Sequence, residues 1–384
     1  MIGEQKRRSF QLYLTREPVI LAMLSALAVV FFLAVTGLSH LYHAQQDSLG
    51  NRWSTRGAAD LKGRRFESAV SDFRTALLYS RDNYAYQLNL AEALIGLKRT
   101  NEASSYLINL WEREPENGFV NLALARIAAQ KGETEQALRY YHNAIYAAWA
   151  GDQQQERRDA RLELIDFLLG INAKAQAQAE LIALAANLPN DPSEQTRVGD
   201  LFLRAQDYEN ALAEYRLSLR ADHRNSAAVT GAGTAAFQLG RYAIAQRYLQ
   251  AAVAANPEDR ESAARLKTTE EVLRMDPFQR QLSVAQRSRV VIEAFAAAGQ
   301  RLKSCFGAAG SAGATSSETA SSLADSWTKM KPHITEEGLR RNPDLIESAM
   351  ELVFDIEHQT NSACGPPSGT DMALLLIARM HEGN

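Results

Sequence analysis

Few residues in this chain are of types that do chemistry, and their spacing rules out most reactions. The histidines His40 and His43 stand at i and i+3, a separation that puts both on one helix face. Two imidazoles without a third ligand make a poor metal or haem site, and polar anchoring at an interface is the simpler role. His358 lies in "DIEH" beside acidic residues on an expected helix and reads as a surface histidine. "GAGTAA" at 231–236 has two glycines but no dinucleotide fingerprint; close helix contact explains them better than a phosphate. "GSAG" at 310–313 lacks the nucleophile-elbow pattern. There is no P-loop, H-E-x-x-H or C-x-x-C. The sequence therefore points to no enzyme and implies no cofactor and no metal.

The only cysteines are Cys305 and Cys364. If the body of the chain faces an oxidising compartment, a disulfide between them is expected, closing a long loop worth roughly 4 kcal/mol at most on the entropic account. Two free thiols are the other reading.

The elements that carry these residues are helical. The 384 residues are 46% hydrophobic and 23% charged with net charge −3, ordinary for a folded protein and without the basic excess of a nucleic-acid binder. From Pro18 to Gln46 there is no Asp, Glu, Lys or Arg, and "VILAMLSALAVVFFLAVTGLSHLY" is apolar for about 20 residues, enough to cross a bilayer as a helix. No small-x-small cleavage site follows, which favours an uncleaved signal anchor over 18–42; a cleaved signal and a buried soluble helix are the alternatives. Lys6, Arg7, Arg8 and Arg16 precede it and no Lys or Arg follows until Arg52. The positive-inside rule then leaves the tail 1–17 in the cytoplasm and the body outside it. With no N-x-[ST] site in the chain, a bacterial inner membrane and a periplasmic body are expected.

Downstream the sequence repeats. "FESAVSDFRTA", "TNEASSYLINL", "TEQALRYYHNA", "KAQAQAELIAL", "YENALAEYRLS" and "YAIAQRYLQAA" carry an alanine at the same place: Ala69, Ala103, Ala137, Ala177, Ala211 and Ala245. All steps are 34 residues except the third, which is 40. Four residues on comes a large side chain (Phe73, Leu107, Tyr141, Leu181, Tyr215, Leu249), and twelve on stand Pro115, Pro189 and Pro257. This pattern resembles the tetratricopeptide-repeat family over residues 50–258, with Trp53, Gly57, Leu90, Ala91, Gly199 and Gly233 matching further consensus positions. The resemblance implies an α-solenoid of about six repeats; with the N-terminal transmembrane helix and a C-terminal helical module, the expected fold class is all-α. The small alanines would let helices pack closely and the large residues fill the gaps between repeats. The fourth copy carries extra residues around "AGDQQQERRD", read as a longer loop or an extended first helix, and Trp149 replaces the proline of the third copy.

After Pro257, residues 259–306 read as capping helices. The first has a stripe of Ala263, Leu266 and Leu273 with a polar back; the second starts at Asp276-Pro277. "GAAGSAGATSSETASS", 307–322, reads as a flexible linker. The module 323–384 contains a helix capped by Asn342 with a stripe of Leu345, Ile346, Ala349, Val353 and Ile356, and a last helix capped by Thr370.

The resemblance implies a function for the concave face, which in this family is lined by the first helix of each repeat and binds extended peptides or partner helices. On the register above, Leu88, Glu92, Phe119, Leu122, Arg126, Leu162, Asp166, Asp200, Arg204 and Phe237 would line it. One subgroup clamps a terminal carboxylate with Lys and Asn; the corresponding positions here hold Leu88, Glu92, Leu122 and Arg126, so a partner segment with apolar anchors fits better. The expected function is a membrane-anchored scaffold or assembly adaptor for envelope or membrane-complex proteins. The alternatives are a structural subunit of a larger membrane complex, or an enzyme with its site in the C-terminal module.

Overall fold

The computed structural model describes residues 2–149, 152–306 and 314–382. Among these the regular elements are helices and one short 3-10 turn. The chain divides into two compact units, Met1–Phe167 and Leu168–Asn384.

The first unit contains α1 (Ile2–Lys62), α2 (Phe66–Tyr79), α3 (Tyr84–Gly96), α4 (Thr100–Arg113), α5 (Gly118–Lys131), α6 (Thr134–Tyr146) and most of α7 (Gln153–Gly170). α1 is a single helix of 61 residues. Its apolar stretch from Leu21 to Tyr42 stays exposed, while its last turns pack on α2 as the first helix of a repeat. The expected alanines Ala69, Ala103 and Ala137 are all fully buried, as are Phe73 and Leu107. Gly57 lets α1 approach α2 so closely that an added Cβ would stand 3.0 Å from the Phe73 ring. The expected extension in the fourth copy is a longer first helix: α7 has 18 residues where α3 has 13. Residues 150–151 of that insert lie outside the described residues. Trp149 does the work of the missing proline. Its indole N–H donates to the Ala144 carbonyl at 2.8 Å, and its ring covers Gly118.

The second unit continues the pattern with α8 (Lys174–Ala185), α9 (Pro192–Arg204), α10 (Tyr208–Ala221), α11 (Ser226–Gln238), α12 (Tyr242–Ala255) and α13 (Arg260–Met275). Asp191, Asn225 and Asp259 cap α9, α11 and α13 at the 34-residue interval, each accepting from backbone N–H groups of the first turn. α14 (Val284–Phe306), α15 (Ala314–Met330), α16 (Glu336–Arg341), α17 (Asp344–Cys364) and α18 (Thr370–Glu382) follow and share a core with α12 and α13.

Four expectations for this region need correction. First, residues 314–322 of the expected linker belong to α15; 307–313 lie outside the described residues. Trp327 holds that helix, stacking on Phe295 at 5.5 Å and donating its N–H to the Phe295 carbonyl. Second, α13 is no polar-backed cap: Ser262, Thr269, Val272 and Met275 are its buried residues, and α18 packs on it. Third, α14 starts at Val284, where Ser283 and Gln286 form a reciprocal capping box; Asp276 instead turns the chain by accepting from the Phe278 N–H. Fourth, neither expected cap in the module acts as one: the Asn342 side chain does not cap α17, and the Thr370 hydroxyl donates to Glu271 of α13.

Candidate partner-binding surface

In the first unit the expected groove residues come from α3, α5 and α7, the first helices of successive repeats. The structure brings two of their charges, Glu92 and Arg126, together with a third, Glu163. Arg126 on α5 makes a two-pronged bond to Glu163 on α7, at 2.8 and 2.5 Å. Glu92 on α3 is the other carboxylate beside it. Desolvation holds the Glu92 carboxyl above its usual range and Arg126 partly offsets this. Arg126 is itself raised, first by the bond to Glu163. The arrangement is a row of alternating charge, minus–plus–minus, across three helices. The Tyr141 ring lies tilted against Phe167 with centroids 5.8 Å apart, and its hydroxyl is pushed up to about 12 by burial and by Glu163.

Leu88 is half-buried and Phe119 is 37% exposed, so both offer apolar surface near the row. Asp166 is exposed on α7. Leu122 and Leu162 are corrections: each is only 6% exposed. α5 is buried at every position from Val120 to Ala125 because it is wedged among neighbouring helices, so Leu122 is a core residue. Glu163 was missed in the sequence. It stands one helical turn before Asp166, and the i−3 relation on one face is the signal that marks it.

In the second unit Asp200 and Arg204 are exposed on α9. Asp200 accepts a 2.6 Å bond from the Tyr215 hydroxyl, which anchors it from below. Phe237 is a further correction. It packs edge-on to Tyr242 at 5.6 Å and against the core shared with α14, α17 and α18. That packing leaves the side chain only partly exposed, so it is a poor open anchor.

Cys305 at the end of α14 and Cys364 at the end of α17 meet in bonding geometry, with Cα atoms 5.9 Å apart. The Arg301 guanidinium reaches the Gly365 carbonyl beside them at 2.8 Å.

Residues 61–127 match a tetratricopeptide-repeat family profile, and residues 230–266 match a second one. Those two stretches are tetratricopeptide repeats. No curated protein sequence matches the chain. Solved structures similar to it include PilF of Pseudomonas aeruginosa, 18% identical, covering 57% of this chain and 97% of that one at a TM-score of 0.40. YrrB, described as a TPR protein with an unusual peptide-binding site, is 15% identical over 50% of this chain and 95% of its own, also at 0.40. PilW, a type IV pilus biogenesis factor, is 16% identical over 58% and 98%, at 0.39.

Proposed function

We propose that this chain is a single-span membrane tetratricopeptide-repeat scaffold that holds a partner segment on the first-unit surface around Arg126. The observation that carries this reading is the Glu92–Arg126–Glu163 row flanked by Leu88 and Phe119. It offers charge for register and apolar surface for anchoring, as extended-segment recognition requires. Asp200 and Arg204 are proposed to serve the same purpose in the second unit. Phe119→Glu and Arg126→Glu, each tested alone, are expected to lower recovery of the main partner about tenfold in affinity purification from native membranes, the scale of one interface hot spot. Melts of both variants should stay near wild type, because neither side chain is buried. If variants that melt normally retain the same proteins in the same amounts, the surface is not the binding site.

The anchoring part of the proposal rests on α1, whose apolar stretch is long enough to cross a membrane and stays exposed. Basic residues before it and none directly after it support a cytoplasmic N-terminus with the repeats in the periplasm. An alkaline phosphatase fusion after residue 258 is expected to be active in a bacterial host. In the same envelope fraction, alkylation without reductant should leave Cys305 and Cys364 unmodified, the disulfide that an oxidising compartment implies. An inactive fusion together with two alkylated cysteines would place the body in the cytoplasm.

A further inference from the structure

The apolar stretch of α1 runs into the first repeat without a break, so the height of that repeat above the apolar boundary is fixed by helix geometry. Tyr42 ends the stretch. α2 runs back antiparallel to α1, and two contacts set the levels. An added Cβ on Gly50 would stand 3.5 Å from the Ala76 carbonyl, and one on Gly57 would stand 3.0 Å from the Phe73 ring. Extended five to eight residues along α2, these matches set the turn after it, at Arg81, level with about residue 45 to 49 of α1. At about 1.5 Å per residue that is only about 5–10 Å past Tyr42.

A bilayer's headgroup layer is about 5–7 Å thick on each side. An arginine stem reaches several ångströms further. A helix tilt of about 20°, acting on a neighbour about 9 Å away, moves this edge by only about 3 Å. The turn therefore cannot stand clear of a membrane that α1 crosses.

The residues there suit that setting. Arg81 and Asp82 are exposed in the turn. Arg113, at the end of α4, is exposed as well; it donates to the Asp82 carbonyl at 3.2 Å and lies over the Tyr84 ring at 5.6 Å. Neither arginine forms an ion pair among the described residues, so both guanidinium groups keep donors for another acceptor. Leu78, one turn above, is 83% exposed.

We infer that the edge of the first unit formed by the 80–83 turn and the end of α4 rests in the phospholipid headgroup layer, with Arg81 and Arg113 taking lipid phosphates. This rests on the reading that α1 crosses the membrane. The repeats of the first unit would then stand with their helices along the membrane normal, and the surface around Arg126 would open sideways close to the bilayer.

The test uses the full chain in phosphatidylcholine–phosphatidylglycerol vesicles, with photoreactive benzoyl-phenylalanine placed singly at Phe32, Asp82 or Lys98. Lys98 lies in the turn between α3 and α4, at the far end of these helices. Irradiation followed by mass spectrometry is expected to give lipid adducts at 32 and 82 and none at 98. In an Arg81→Gln/Arg113→Gln background the yield at 82 should fall several-fold while the yield at 32 stays the same. Adducts at 32 without adducts at 82, or a yield at 82 indifferent to both arginines, would overturn the inference and leave the membrane reading standing. No adduct at 32 would remove the membrane reading and this inference with it.

Discussion

Glu357→Gln is expected to stabilise the second unit, and the gain is expected to grow as pH rises. Glu357 on α17 is fully buried, and neither carboxyl oxygen has a hydrogen-bond partner among the described residues. Burial pushes its carboxyl up to about 8; the Asp371 carboxylate on α18 adds to this and Arg301 on α14 offsets part of it. In the unfolded chain the group titrates near the usual carboxylate value, so the folded state holds the proton more tightly. The stabilisation linked to that proton is complete below about pH 4 and is lost as pH rises toward about 8. Glutamine keeps the shape and carries no charge at any pH. The variant should match wild type within experimental error near pH 4 and exceed it by about 4 kcal/mol at pH 8, or roughly 12 °C in melting temperature for a unit of this size. Melts across that pH range decide it. A gap that stays constant with pH would mean that Glu357 is ionised throughout or finds a partner.

That buried acid was invisible in the sequence, where "DIEH" reads as a solvated end of a helix. The repeats were legible because their spacing is set by covalent geometry. Helix lengths and turns recur, and a close contact at Ala69 demands another at Ala103. A second signal with the same spacing went unread. The residue that turns each first helix into its second has positive φ at Arg64, Lys98, Gly132, Asn172, Gln206 and Gly240. Only two of these are glycine, so the left-handed turn hides behind side chains that tolerate it at a cost of about 1 kcal/mol each. The groove was half legible. Family register located Glu92 and Arg126, but whether a position on a first helix faces outward depends on how tightly its neighbours wedge it. Leu122 and Leu162 are enclosed for that reason. Phe237 is partly buried against a core built with the C-terminal helices, a long-range packing that no local pattern encodes. Low complexity misled at 314–322, because the side chains that hold α15 are few: Ala320 within the stretch, and Leu323, Trp327 and Met330 beyond it.

Gly231→Ala is expected to destabilise the second unit by about 3 kcal/mol, the upper end for forcing atoms into a packed core. The added Cβ would fall 2.2 Å from the Tyr215 ring, and the ring is just as confined by Gly199 of α9, where an added Cβ would stand 2.8 Å from it. Tyr215 is fully buried between these helices, so neither side offers it room to move. Displacing the ring also breaks the bond from its hydroxyl to Asp200, the bond that fixes a carboxylate on the proposed binding surface. The variant should therefore lose stability and, in the fraction still folded, lose order at Asp200. Gly170→Ala is the control: nothing lies within 4 Å of its added Cβ, and alanine is the better helix former. Urea denaturation of both variants separates the outcomes. If Gly231→Ala unfolds at the wild-type midpoint, the two helices are not in close contact across Tyr215. The glycines of "GAGTAA" would then need an explanation other than packing, and the phosphate-loop reading set aside for that stretch would have to be tested directly.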